Sequence, residues 1–149
     1  MIQIWCDGSY RQEHKTAGVG WVIRHLDGRE EEKALTLPPI RNSHAYGSQI
    51  AELLAVSHAL QAVPDKNNAV TVHMDCLPAL QALQNRKAPD SKQRNLPSLR
   101  AAFKIALAAV KRFENIDLVL ASDKTDRRMS RAHGLSRIAS MAPPEIQAL

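Results

Sequence analysis

Cysteine is scarce: Cys6 and Cys76 are the only two in 149 residues. That is too few for a disulfide scaffold, and neither stands in a CxxC or Cys/His zinc spacing. Both are expected to remain thiols. No apolar run approaches the roughly 18 residues of a membrane span, so no membrane-spanning helix is expected here. No basic-then-apolar leader precedes the first strand-like run, so the expected compartment is the reducing cytoplasm. Internal repeats, low-complexity tracts and long linkers are also missing. One domain over residues 1–149 is expected, long enough to bury a core without staples and read as a monomer.

The charge that is present is lopsided. The net charge is +5, yet Arg86 to Arg137 alone holds 13 Lys/Arg against 5 Asp/Glu. A basic C-terminal half suits a polyanionic partner. An ordinary solvated surface would carry the same signature, so charge alone does not decide.

The strand and helix signals alternate along the chain. Ile2 to Tyr10, Gly18 to Arg24 and Glu31 to Leu37 read as strands, and Asp27-Gly28 marks a hairpin between the second and third. A loop from Pro38 to Gly47 precedes a helix over Ser48 to Val63, closed by Pro64-Asp65. Val70 to Asp75 is a fourth strand and Leu77 to Asn85 a short helix, with Pro78 tolerated in its first turn. Arg86 to Asn95 is a basic, proline-broken loop. Leu96 to Glu114, rich in Ala, Leu and Lys, is the strongest helix. A fifth strand over Ile116 to Ala121 leads to a last helix from Asp126 or Arg127 to Met141, stopped by Pro143-Pro144. The order β-β-β-α-β-α-α-β-α describes an α/β layer structure, a mixed sheet covered by helices.

Three acids stand at telling places on this scaffold. Alternation puts Ile2, Ile4 and Cys6 on one face of the first strand, with Gln3, Trp5 and Asp7 on the other. In the fourth strand Thr71, His73 and Asp75 oppose Val70, Val72 and Met74. Asp7 and Asp75 each lie near the carboxyl end of a strand, where open α/β sheets gather ligands. Taken singly, Asp7-Gly8-Ser9 is ordinary turn chemistry and Asp75 an ordinary helix cap. Glu52 is harder to dismiss, because its helical neighbours Val56, Ala59 and Val63 form an apolar stripe that packs inward. Buried carboxylates need compensation, and three on successive core elements suggest a cation.

The segments Asp7-Gly-Ser, Ala51-Glu52-Leu, Met74-Asp75 and Arg131-Ala-His-Gly-Leu-Ser136, in that order, resemble ribonuclease HI and its relatives. Each motif is weak alone; the ordered set is specific, and it spans nearly the whole chain. The resemblance implies a ribonuclease H-like fold: five strands, the first three antiparallel, the fourth and fifth parallel to the first, with flanking helices. It implies an enzyme that hydrolyses the RNA strand of RNA–DNA hybrids with two Mg²⁺ or Mn²⁺ ions, leaving 5′-phosphate and 3′-hydroxyl ends. Hard cations favour oxygen ligands, and a two-ion site suits in-line displacement at phosphorus. Asp7 would bridge both ions, with Glu52 and Asp75 completing their shells. Gly8, Ser9, Ser48 and Gln49 would contact the RNA strand, whose 2′-hydroxyl distinguishes it from DNA; Ser48 and Gln49 are equally readable as a cap and first turn. Arg86 and Lys87, in the basic loop, would meet the substrate backbone.

The departures matter as much. The long basic handle of some bacterial relatives is reduced to the Arg86 to Arg94 loop. The family's mobile loop histidine has no counterpart around Ser122-Asp123-Lys124. His14, His25, His44, His58 and His73 show no ligand spacing; His73 shares the face of Asp75 and is also readable as a satisfied sheet histidine. In the last helix the family's Ala-Asp-x-Leu-Ala is matched by Ala132-His133-Gly134-Leu135-Ser136, so His133 stands where a fourth carboxylate is expected. An imidazole adds no charge and is a poor Mg²⁺ ligand, but it suits Mn²⁺ better. His133 therefore reads as a ligand, a proton-transfer residue or a bystander beside Arg137. Asp123 or Asp126 could supply the missing acid, although Asp126 also reads as a helix cap. Two other functions stay open: a nucleic-acid-binding module of the same fold with weak or no catalysis, and a nuclease acting on another substrate such as double-stranded RNA.

Overall fold

The computed structural model describes residues 1–39, 46–88 and 97–141. Among them are five strands and four helices: β1 (Ile2–Arg11), β2 (Thr16–Arg24), β3 (Glu30–Thr36), α1 (Gly47–Gln61), β4 (Val70–Met74), α2 (Leu77–Asn85), α3 (Pro97–Lys111), β5 (Ile116–Leu120) and α4 (Arg127–Ser140). The strands form one sheet in the order β3-β2-β1-β4-β5. β1 pairs antiparallel with β2 and β2 with β3. β4 is parallel to β1, and β5 to β4. This is the mixed ribonuclease H-like sheet that the family resemblance implies.

Alternation sorts the two faces as the sequence suggests. Ile2 pairs with Val70 and Ile4 with Val72, and with Cys6 and Met74 these side chains join α1 and α3 in the main core. Each fully buried aliphatic side chain contributes about 1.5–3 kcal/mol. The opposite face carries a smaller cluster of Trp5, Val22, Met129, Ala132 and Leu135 beneath α4. Both cysteines are free, Cys6 in the core and Cys76 half-buried at the start of α2.

The boundaries differ from expectation where tertiary pairing overrides local signals. β2 begins at Thr16 rather than Gly18 because its ladder continues to the Arg11–Thr16 pair. α1 ends at Gln61, short of Val63. α3 ends at Lys111, short of Glu114, because Arg112 and Phe113 donate to the carbonyls three residues back, a tightened final turn. The expected hairpin is present, with Gly28 at φ +87°. Most of the expected loops over Pro38 to Gly47 and Arg86 to Asn95 lies outside the described residues, as does Leu96. Among the described residues no helix is long and apolar enough to cross a membrane.

Candidate metal centre

β1, α1, β4 and α4 converge where β4 ends; Asp7 lies in the middle of β1, not near its carboxyl end as expected, because the pairing with β2 carries that strand on to Arg11. Asp7 points to the α4 side of the sheet and is 2% exposed. It pairs with Gly20 of β2, and that glycine is what lets α4 descend onto the sheet. A Cβ there would stand 2.6 Å from the Ala132 carbonyl oxygen and the Ser136 amide. His133 and Ser136, three residues apart on one helical face, thereby reach Asp7. The His133 Nδ1–H donates to Asp7 Oδ2 at 2.6 Å, and the Ser136 hydroxyl lies 3.4 Å from the same oxygen.

Glu52 arrives from the other side of β1. Its helix can pass because Gly8 has no side chain: a Cβ there would collide with the Ala51 carbonyl group and the Glu52 amide. The Gly8 amide donates to Glu52 Oε1 at 3.0 Å. The second oxygen, Oε2, is buried without a hydrogen-bond partner. Burial and the neighbouring Asp7 and Asp75 carboxylates push Glu52 well above the usual carboxylate range. Asp75, pushed up to about 6 by burial and then by Asp7, is half-buried. It is not a helix cap, since Cys76 holds that position and makes no side-chain cap bond. Ligand atoms of Asp7, Asp75 and His133 lie within 4.8 Å of one another. Asp7, Asp75 and His133 thus offer two carboxylates and an imidazole, and the crowded, under-compensated Glu52 adds a third acid that a cation would relieve. Hard divalent cations fit such a donor set.

Around this cluster a cleft of about 730 Å³ opens beside Asp75, lined also by His73, Ala121, Ser122, Asp123 and Asp126. Asp123 Oδ2 is 4.0 Å from His133 Nε2. Asp126 caps α4: Oδ1 accepts from the Arg128 and Met129 amides at 2.9 and 3.0 Å, and Oδ2 from Trp5 Nε1 at 3.2 Å. Both its oxygens are engaged, so the cap is what Asp126 forms here. His73 donates to Gln3 Oε1 at 2.8 Å and stacks on Trp5, the satisfied sheet histidine.

The residues expected to contact substrate lie on β1, α1 and the end of α2. Gly8 and Ser9 are inside the β1–β2 ladder; the Gly8 amide is committed to Glu52, and Ser9 Oγ accepts from Ser140. Ser48 is exposed and Gln49 half-buried in the first turn of α1; the helix is capped at Tyr46, so neither is the cap. Arg86 and Lys87 are not beside the acids. They follow the carboxyl end of α2, about 13 Å along its axis from Leu77, and Arg86 lies with Ile116 and Asp117 near the start of β5. Sequence reasoning assigned no role to Ser136 or Gly20. The three-residue spacing from His133 to Ser136 was a usable signal; nothing local marked Gly20 as the partner of Asp7.

Comparison with family models matches residues 5–127 to the family described as reverse transcriptase-like. Among solved structures, the chain is similar to ribonuclease H1 from the halophilic archaeon Halobacterium salinarum, at 24% identity over 93% of this chain and 96% of that one, with a TM-score of 0.72. An N-terminal RNase H domain from Mycobacterium tuberculosis matches at 20% identity over 99% and 98%, TM-score 0.74. LC11-RNase H1, isolated from compost, matches at 26% identity over 93% and 94%, TM-score 0.70. LC11-RNase H1 has also been solved in complex with an RNA/DNA hybrid. Comparison with curated proteins gives no match.

Proposed function

The chain belongs to the reverse transcriptase-like family, with its ribonuclease H-like fold, and from that premise we propose that it is a metal-dependent endonuclease cleaving the RNA strand of RNA–DNA hybrids to 5′-phosphate and 3′-hydroxyl ends. The observation that carries this reading is the convergence of Asp7, Asp75 and His133 within 4.8 Å, next to a buried Glu52 whose Oε2 has no partner. Asp7, Glu52, Asp75 and His133 would hold two Mg²⁺ or Mn²⁺ ions. Such ions supply activation of the attacking water and stabilisation of the leaving 3′ oxygen. The protein's own part is to hold the acids in place. The Gly8 amide fixes Glu52, and His133 fixes Asp7. The exposed Lys124 and Arg127 flank Asp123 and Asp126 at the cleft and suit a phosphate backbone. The hybrid-bound form of LC11-RNase H1 supports a hybrid as partner.

One observation favours a second reading, a binding module with little catalysis: an imidazole replaces a carboxylate at the fourth position and pairs with Asp7. One assay separates the readings. Purified protein is incubated with end-labelled RNA–DNA hybrid, double-stranded RNA and duplex DNA, with Mg²⁺ or Mn²⁺. Cleavage of the hybrid's RNA strand, faster with Mn²⁺, is expected. Hybrid binding without cleavage selects the module, and preferential cleavage of double-stranded RNA selects the other nuclease.

A further inference from the structure

His133 has two ring nitrogens, and the metal cluster uses one of them. Nδ1 reaches Asp7 Oδ2 at 2.6 Å, and one ring nitrogen of His133 lies within 4.8 Å of carboxylate oxygens of both Asp7 and Asp75. Nε2 faces the opposite way, 4.0 Å from Asp123 Oδ2. Among the described residues, no other carboxylate is recorded in ion-pair range of Nε2. Asp123 is held by a tight turn. The Ser122 carbonyl accepts from the Thr125 and Asp126 amides at 3.2 and 2.9 Å, and Ser122 Oγ from the Lys124 amide at 3.2 Å. The turn ends in Asp126, which caps the helix carrying His133. Asp123 and His133 therefore share one frame.

We propose that Asp123 is a positioning residue that keeps the His133 ring proton on Nε2, leaving the Nδ1 lone pair for a cation shared with Asp7 and Asp75. The proposal rests on the metal-centre reading above. A neutral imidazole has one donor nitrogen and one acceptor. A carboxylate is an acceptor, so the 2.6 Å contact between Nδ1 and Asp7 Oδ2 is made by the tautomer protonated on Nδ1. Ligation requires the other tautomer, and the partner of the distal nitrogen selects it. The 4.0 Å separation exceeds a hydrogen bond, and a rotamer adjustment of the partly exposed Asp123 closes it. Asp123 then acts through the imidazole instead of swinging in as the missing fourth acid.

Mn²⁺ binding, read from the electron paramagnetic resonance signal of the free ion, tests this. The proteins are the parent, Asp123→Ala and Asp123→Asn, each with and without His133→Ala. Asp123→Ala should weaken Mn²⁺ binding roughly tenfold, the scale of a lost outer-shell partner. Asp123→Asn, whose amide oxygen still accepts from Nε2–H, should recover most of the loss. In the His133→Ala background Asp123→Ala should change affinity less than about twofold. An equal loss in that background overturns the proposal, because Asp123 would then be a ligand. If His133→Ala weakens binding but Asp123→Ala does not, the proposal fails and the metal-centre reading stands. If His133→Ala itself has no effect, the proposal falls and His133 is outside the site; if the parent binds no Mn²⁺, the metal-centre reading falls with it. Nitrogen-15 shifts of the His133 ring give a second readout: Nδ1 protonated in chelator, and Nε2 protonated with Zn²⁺, a diamagnetic ion that accepts imidazole ligands. A tautomer that Asp123→Ala leaves unchanged with Zn²⁺ bound counts against the proposal.

Discussion

Asp7 is a buried acid held where α4 crosses β1. Its carboxylate is almost fully buried; His133 of α4 donates to it at 2.6 Å, and the Ser136 hydroxyl, which donates to the His133 carbonyl at 2.8 Å, lies 3.4 Å away. In the proposed metal site Asp7 would need its full negative charge, whereas asparagine keeps the shape and not the charge. Asp7→Asn should remain folded and lose hybrid cleavage by more than the ~10–100-fold typical of an outer-shell partner, measured with Mg²⁺ alongside a circular dichroism spectrum. Substantial activity in a folded Asp7→Asn protein would remove the two-metal reading. His133 poses the complementary question. His133→Asp replaces a neutral, softer donor with a hard oxygen, so cleavage with Mg²⁺ should rise and the Mn²⁺ preference shrink. The same change removes the Nδ1–H donor to Asp7 and adds an acid to a crowded cluster. In chelator the variant should therefore melt below the parent. If His133→Asp and His133→Ala both match the parent with either metal, His133 is outside the site.

At the scale of elements, α4 decides the geometry of the site, and its sequence holds an avoidable weakness. Gly134 sits inside the helix, and an added Cβ would meet nothing within 4 Å. Glycine in a helix interior costs roughly 0.5–1 kcal/mol relative to alanine. Gly134→Ala should raise stability by about that amount in denaturant titration; a loss would mean that the chain needs glycine's freedom beside His133. The strands were legible because Ile2, Ile4 and Cys6 alternate with Gln3, Trp5 and Asp7 in a period that only a two-faced sheet explains. The hairpin was legible from Asp27-Gly28, and the Asp126 cap from its place ahead of a helical run. Glu52 was legible as a buried acid from its apolar stripe. The landing of α4 was not. It depends on Gly20, opposite Asp7 across a strand pair, and on the Ser9–Ser140 contact, both long-range facts with no local signature. The position of Arg86 has no local signature either: it follows α2 and lies with Ile116 and Asp117 near the start of β5, at the opposite end of that strand from Asp75.

For the whole molecule, folding brings together buried carboxylates that disfavour one another's charge. Asp75 is raised from 3.8 to about 6, by burial and then by Asp7, and Glu52 is raised in the same direction. An acid whose folded pKa lies above its unfolded value binds its proton more tightly in the folded state. Its penalty is therefore absent below the unfolded pKa and grows as pH rises through the window from 3.8 to about 6. Above that window the penalty is constant. The raw shift of Asp75 corresponds to about 3 kcal/mol, and solvent screening of a half-exposed group reduces it to about 1–2 kcal/mol. His58 and His73 act the other way. Burial lowers both from 6.5, so their neutral forms favour the fold above that value and the contribution is lost as pH falls below it. The acid's share is isolated by difference. In chelator, the melting temperature of the parent relative to Asp75→Asn should fall by about 3–6 °C between pH 4 and pH 6.5. Adding Mg²⁺ or Mn²⁺ at pH 7 should recover the loss in the parent, because a cation binding only the folded state stabilises it. The recovery should vanish near pH 4, where protons occupy the same oxygens. Parallel melting curves for parent and Asp75→Asn across this range would show that the carboxylates do not repel one another, and the strongest physical reason for placing a cation among them would be gone.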